Sequence, residues 1–235
     1  MATAVVIGAT GGIGGALVEE LVRRGTFDRI LALSRRPVAV GGAGVVTGRI
    51  DLTDEASIAA AAAQVDKADL VIVATGVLQT ETLRPERSYR ALDADALLES
   101  YRINLVGPAL AAKHFLPRLP RAGRSVFAAL SARVGSVSDN RLGGWHSYRA
   151  SKAALNMTLA NLAIELARER PQAICVGLHP GTVDTGLSAP FHRGLASGQL
   201  FTPAYSAMCL VDVVERLTPA DSGGVLAWDG SRIAP

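Results

Sequence analysis

A chain of 235 residues that is 49% hydrophobic and 19% charged is long enough to bury a substantial core, and it suits one α/β domain over residues 1–235. The formal net charge is only +3, the arginines are scattered, and Lys67, Lys113 and Lys152 are the only lysines, which argues against a nucleic-acid surface. No apolar run approaches the roughly 18 to 20 residues that cross a membrane; strand character within three residues of Met1 argues against a signal peptide, and Cys175 and Cys209 read as buried free thiols of a reducing cytoplasm.

The chain opens on Ala4-Val5-Val6-Ile7, a short β-branched run typical of a buried parallel strand. Gly8-Ala9-Thr10-Gly11-Gly12-Ile13-Gly14 follows. Leu17, Val18, Leu21 and Val22 then recur at helical spacing over 16–24, and Gly25 stands as a C-cap. Glycines between a strand and a helix let the backbone turn sharply and let a pyrophosphate reach the helix N-terminus. The spacing here is Gly-x-x-x-Gly-x-Gly, not Gly-x-Gly-x-x-Gly.

Further strands are expected at 30–33, 45–50, 70–74, 126–130, 174–178 and 225–228. Helical stretches fall between them at 55–64, 94–116 and 148–169. This alternation predicts an α/β fold with a doubly wound parallel sheet of about seven strands. In such a sheet the ligand sits outside the carboxyl ends of the strands. At the end of the second strand stands Ser34, followed by Arg35-Arg36. An acid there would bond a ribose 2′-hydroxyl, whereas serine does not repel a 2′-phosphate and guanidinium groups bind one bidentately. A ligand with a phosphorylated ribose is therefore favoured here over one with a free 2′-hydroxyl.

Tyr148 and Lys152 lie four residues apart, so on a helix they share one face. An ammonium beside a phenol favours the phenolate, and the expectation is a lowered tyrosine pKa and a proton donor usable near neutral pH.

The glycine-rich turn and the Tyr-x-x-x-Lys pair together resemble the short-chain dehydrogenase/reductase family, and further matches follow in the family's order over nearly the whole chain. Asp51, with Leu52, stands where the family places an acid near the adenine. Ala74-Thr75-Gly76 takes the place of its Asn-Ala-Gly, and Asn104 that of its helix asparagine. Ser131 ends an apolar strand, and Pro180-Gly181-Thr182-Val183-Asp184-Thr185 matches its Pro-Gly-x-Val-x-Thr segment. The stretches 131–136, 143–149 and Trp228-Asp229-Gly230 are closer to C-factor-like and sniffer-like carbonyl reductases.

The resemblance implies a Rossmann-type oxidoreductase acting on a small-molecule carbonyl or alcohol with a nicotinamide cofactor and no metal; Ser34, Arg35 and Arg36 then make NADP(H) the expected cofactor, with NAD(H) the alternative. Tyr148 is then the general acid, Lys152 tunes it and holds the nicotinamide ribose, and Asn104 holds a water that links Lys152 to solvent. Ser131 bonds the substrate oxygen. Thr10, Gly11, Gly12, Ile13 and Gly14, together with Gly8, form the phosphate turn, and Pro180, Gly181, Val183 and Thr185 grip the nicotinamide end. Relatives pair their long helices between subunits, which implies a homodimer or homotetramer. The C-factor likeness also keeps open a nucleotide-binding signalling or regulatory protein with little turnover.

Two points stay open in the sequence. The family often carries Ser-Ser-x-x-Gly with the second serine catalytic, yet Ala132 occupies that place here. Ser136 is the alternative donor. His146 reads as a surface histidine, and the lid 186–195, with Leu187, Phe191 and Trp145, reads as an apolar wall.

Overall fold

The computed structural model describes residues 1–37, 41–81, 83–189 and 198–235. Seven strands form one parallel sheet: β1 (Thr3–Ile7), β2 (Arg29–Ser34), β3 (Val45–Arg49), β4 (Leu70–Val73), β5 (Ser125–Leu130), β6 (Ala173–His179) and β9 (Val225–Ala227). Their order is β3-β2-β1-β4-β5-β6-β9. A second, two-stranded sheet pairs β7 (Thr182–Val183) with β8 (Leu200–Phe201). The seven expected strands are the seven found, and the doubly wound architecture follows from their order.

Period-two alternation explains why the sheet is covered on both faces. Val5 and Ile7 of β1 enter one core, with Leu31 and Leu33 of β2. Ala4 and Val6 enter the other, with Ile30 and Ala32. Both sets of side chains are apolar, so neither face tolerates water. Helices α2 (Glu55–Ala62), α4 (Gly107–Phe115) and α5 (His146–Glu169) cover the first face through Ile58, Phe115 and Leu159. Helices α1 (Gly12–Arg24) and α6 (Pro203–Arg216) cover the second through Leu17, Leu21, Leu210 and Val214.

The expected helix over 94–116 is α3 (Ala94–Tyr101), one π turn (Arg102–Val106) and α4 in series. Pro108 explains the wide turn, since it has no N–H for the Asn104 carbonyl four residues back. Gly107 sits where a Cβ would lie 2.9 Å from Leu52 Cβ, so the π turn packs closely on the loop that follows β3. Helix α6 was not among the expected helices. Its start is marked by Thr202, whose side chain accepts from Tyr205 N, and by Pro203 in the first turn.

Strand order reverses at β1, whose neighbours are β2 and β4. The crevice above that point opens between Gly8 and Ala74, where loops leave opposite faces of the sheet.

On the far side, α1 and α6 are tied by charge. Arg24 reaches Glu20 at 2.8 Å, Asp212 at 2.6 Å and Glu215 at 2.7 Å. Glu20 is nearly buried, and its carboxyl is held down to about 2, chiefly by the Arg23 hydrogen bond and then, against the opposing effect of burial, by Arg24. A lowered folded pKa means that this contribution is present above the ordinary 4.5 and is lost as pH falls toward about 2. Denaturant titrations from pH 5 to 2.5 should therefore show a steeper loss of stability in the wild type than in Glu20→Gln. Parallel curves would show that the pair contributes nothing.

Candidate active site

Two cavities meet above the crevice. One of about 580 Å³ runs along the ends of β1, β2 and β4, and one of about 450 Å³ lies over β5 and β6. Gly11, Ala74, Thr75 and Gly76 line both and form the neck between them.

The turn from β1 into α1 makes the floor. Gly8 has φ of +94°, a conformation that disfavours any side chain. A Cβ on Gly14 would lie 2.1 Å from Gly8 O, so helix and strand touch backbone to backbone. One on Gly12 would lie 2.7 Å from Thr185 Cγ2. No side chain of the turn intervenes between the cavity and the start of α1, whose N-cap residue Gly11 offers no side-chain acceptor. The free amides and the positive end of the helix suit a pyrophosphate.

The larger cavity is lined by Gly8, Thr10, Ser34, Arg35 and Arg36, and by Asp51, Leu52 and the neck residues. Among the described residues, neither Arg35 nor Arg36 has an ion-pair or hydrogen-bond partner. The Asp51 carboxyl is held below its usual range by Thr53, whose N and Oγ1 donate to it at 2.9 and 2.8 Å. Thr75 Oγ1, in the neck, is buried without a partner. A cradle that Cβ atoms would fill, an orphan hydroxyl and two uncommitted guanidinium groups fit an adenine dinucleotide with a phosphorylated ribose.

The smaller cavity gathers Gly12, Ile13, Ser131, Tyr148, Lys152 and the 180–185 segment. Lys152 is 2% exposed and donates from Nζ to Leu130 O at 2.7 Å. It stands 5.8 Å from the centroid of the Tyr148 ring. The expected lowering of the tyrosine pKa is not what this site shows. Burial pushes the Tyr148 phenol up to about 12 and the Lys152 ammonium down to about 8. Loss of hydration outweighs their mutual attraction, because each charged form is stripped of water before the other charge is close enough to compensate.

Asn104 lines neither cavity. It is fully buried, donating from Nδ2 to Val77 O and accepting from Val77 N, both at 2.8 Å. Nδ2 also reaches Ser100 Oγ and Ser151 Oγ, at 3.3 and 3.2 Å. A Cβ on Gly76 would meet Asn104 Oδ1 at 3.5 Å and Lys152 Nζ at 3.7 Å, so these two groups flank the neck. Gly14 likewise shapes the floor without lining it.

Ser131 lines the smaller cavity, with its hydroxyl donating to Asn156 Oδ1 at 2.6 Å. Ser136 does not line it; its Oγ accepts from Asp139 N at 3.1 Å and donates to Pro235 O at 3.3 Å. Ala132 faces the cavity beside Ser131. His146 is the first residue of α5 and is absent from both walls. Leu187 and Trp145 are wall residues, while Phe191 and the rest of 190–197 lie outside the described residues.

One wall residue has no precedent in the sequence reading. His179 ends β6 with its Nδ1 buried and unpartnered, and burial, then Arg133, lower it to about 4, so it presents a neutral imidazole. Its only sequence signal is its place before Pro180-Gly181. Among the described residues, no cluster of His, Cys, Asp and Glu suits a metal ion, and no helix is long and apolar enough to cross a membrane.

A sequence model of the short chain dehydrogenase family matches residues 2–195. A 1-hydroxy-2-glutathionyl-2-methyl-3-butene dehydrogenase of Rhodococcus sp. (strain AD45) is 31% identical over 98% of both chains. The NADPH-bound carbonyl reductase from chicken fatty liver superposes with a TM-score of 0.82 at 27% identity, over 99% of this chain and 98% of that one. Carbonyl reductase Sniffer of Drosophila melanogaster shares the fold, with a TM-score of 0.86 at 23% identity over 100% and 99%.

The backbone contact at Gly14 gives a direct test. Gly14→Ala would place a methyl carbon 2.1 Å from Gly8 O, so the turn must open. Calorimetry should show loss of NADPH binding together with a lowered Tm. Unchanged binding would show that the turn is not the floor of the ligand site.

Proposed function

The chain belongs to the short-chain dehydrogenase family, and from that membership we propose that it is an NADP(H)-dependent reductase of a small or medium-sized carbonyl compound. One observation carries the reading: Tyr148 and Lys152 line one end of a trough whose other end holds Ser34, Arg35 and Arg36. The nicotinamide, when bound, supplies hydride to the carbonyl carbon. The likeness to an NADPH-bound carbonyl reductase supports the cofactor, and the Rhodococcus relative supports an alcohol/carbonyl couple.

The chain's own residues do the rest. Charge grows on the substrate oxygen as the carbon is attacked, and preorganised donors must meet it. Tyr148 gives that oxygen its proton. A phenol at about 12 stays protonated through neutral pH, so the acid form needed for reduction is always present. Lys152, held against Leu130 O, turns its ammonium toward the neck and the ribose. Asn104 acts by holding Val77, next to the neck residue Gly76, and its backbone carbonyl, without a donor from Pro108, is the place for the linking water. Ser131 is the second donor to the oxygen once its hydroxyl turns away from Asn156 Oδ1. Arg35 and Arg36 bind the 2′-phosphate; Asp51 and Leu52 border the adenine; Pro180, Gly181, Val183 and Thr185 hold the nicotinamide end. The apolar wall of Leu78, Val134, Trp145 and Leu187 favours a substrate with an apolar body. Exposed Leu98, Met157 and Ile164 on α3 and α5 are the face through which a homodimer or homotetramer would form. The buried thiols of Cys175 and Cys209 fit a cytoplasmic location.

Ala132, in the place of the family's second serine, favours one other reading, a dinucleotide-binding signalling or regulatory protein with little turnover. NADPH consumption over a panel of aldehydes, ketones and quinones separates the two, since a regulatory protein would bind NADPH and consume none.

Tyr148→Phe should lower turnover at least about 100-fold, the usual lower worth of a general acid, with NADPH still bound. Near-normal reduction by this variant would sink the mechanism. The Lys152 ammonium is present below about 8 and lost above it, so the NADPH dissociation constant should rise as pH passes that value. Lys152→Ala should bind weakly without this step.

Replacing Arg35 and Arg36 by alanine should erase a preference for NADPH over NADH of roughly 10- to 150-fold, the worth of one charge-assisted bond to phosphate. Equal wild-type affinities for the two nucleotides, measured by fluorescence titration, would refute the phosphate reading.

A further inference from the structure

Gly143, Gly144 and Trp145 follow one another with φ of 63°, 65° and 51°, a left-handed turn directly ahead of α5. Glycine adopts this conformation freely. Trp145, the only non-glycine residue with positive φ among those described, does so at a cost of roughly 1 to 2 kcal/mol. Such strain persists only where the surroundings enforce it, and it collects at functional sites.

The enforcing group is Glu86, on the segment that follows β4. Its backbone carbonyl accepts from Trp145 N at 2.5 Å. Its carboxylate accepts from Ser147 N at 3.2 and 3.3 Å and from Ser147 Oγ. From the other side, Arg149 Nε donates to Gly144 O at 3.0 Å. The N-cap residue of α5 offers no side-chain acceptor, so this carboxylate, 61 residues upstream, caps the helix from outside. Glu86 is 4% exposed and, among the described residues, has no cationic partner. A carboxylate is expensive to bury in this way unless donors surround it. A left-handed residue at the N-cap cannot turn its own side chain onto these amides, so the acceptor has to come from elsewhere in the fold.

The arrangement falls on the site. Ser147 immediately precedes Tyr148, and the Trp145 ring meets the Tyr148 ring edge-on, with centroids 6.4 Å apart at 73°. Both rings line the smaller cavity. We propose that Glu86 is a positioning residue, which holds the strained turn and the first turn of α5 so that the Trp145 ring and the Tyr148 hydroxyl meet the substrate carbonyl in register. The proposal rests on the reading of Tyr148 as proton donor. Glu86 lines neither cavity, so its loss should act on alignment and spare NADPH binding.

The test uses the full chain with NADPH and a carbonyl substrate turned over by the wild type. Trp145 and Trp228 are the only tryptophans, so a Trp228→Phe background makes emission report on Trp145 alone. In that background Glu86→Ala should lower kcat by about 10- to 100-fold, the scale expected for a displaced reacting group. The NADPH dissociation constant should stay within about 2-fold, well below the tenfold step of 1.4 kcal/mol, and Trp145 emission should shift. Glu86→Gln keeps acceptors for both Ser147 donors and should recover most of the turnover with wild-type emission. If Glu86→Ala does not fold, Ser147→Ala, which removes only the hydroxyl donor, should show the same split at smaller size.

Wild-type kcat and emission in these variants would overturn the proposal. So would a lowered Tm with kcat intact, or a Glu86→Gln variant as slow as Glu86→Ala with its pH profile shifted, since charge rather than position would then be acting. Normal turnover in Tyr148→Phe would refute the proton-donor reading instead, while an emission shift in Glu86→Ala would still report the hold on Trp145.

Discussion

The contact between Gly14 and Gly8 O is the constraint on which the site depends. Two backbones approach so closely that even one methyl carbon would overlap an oxygen. This closeness lets α1 begin directly above the end of β1, with its free amides at the mouth of the crevice. A longer or bulkier turn would tilt α1 away from the sheet and expose the apolar faces of Leu17 and Leu21. The same pair of glycines therefore serves core packing and ligand binding, and neither can be altered alone.

Electrostatics in the smaller cavity are governed by dehydration. Tyr148 and Lys152 share a helix face, yet burial moves each toward its neutral form. Near neutral pH the phenol is therefore neutral, while the lysine is still an ammonium but close to its titration point. A neutral phenol is what carbonyl reduction consumes, and an ammonium near its titration point responds to whatever anionic or hydroxyl-rich group occupies the neck. His179, also neutral, adds no charge to compete.

The elements most legible in the sequence are those whose cause is local. Strand runs such as Ala4-Val5-Val6-Ile7 show their nature by alternation and β-branching, and the turn 8–14 by its glycines. Tyr148 and Lys152 are visible because helical spacing alone puts them together. Burial is not local, so helical spacing points to a lowered tyrosine pKa while the folded site raises it. Helix α6 carries its start signal in Thr202-Pro203, a local cue of two residues rather than a long periodic run. Glu86 was invisible for a different reason: it caps a helix 61 residues away, and no periodicity links the two. The hydrogen bond from Ser131 to Asn156 is likewise a product of packing between β5 and α5, which sequence spacing does not encode.

The short pairing of β7 with β8 brings Thr182 beside Leu200 and Val183 beside Phe201. Gly181, with φ of +80°, is pressed against the Phe201 ring, which in turn packs edge-on against Trp228. The clasp therefore roots the chain just where Val183 and Thr185 enter the smaller cavity. Phe201 and Trp228 line no part of that cavity, yet a change in either ring would be transmitted to it through Gly181, so the site's outer limit is drawn by aromatic packing behind it.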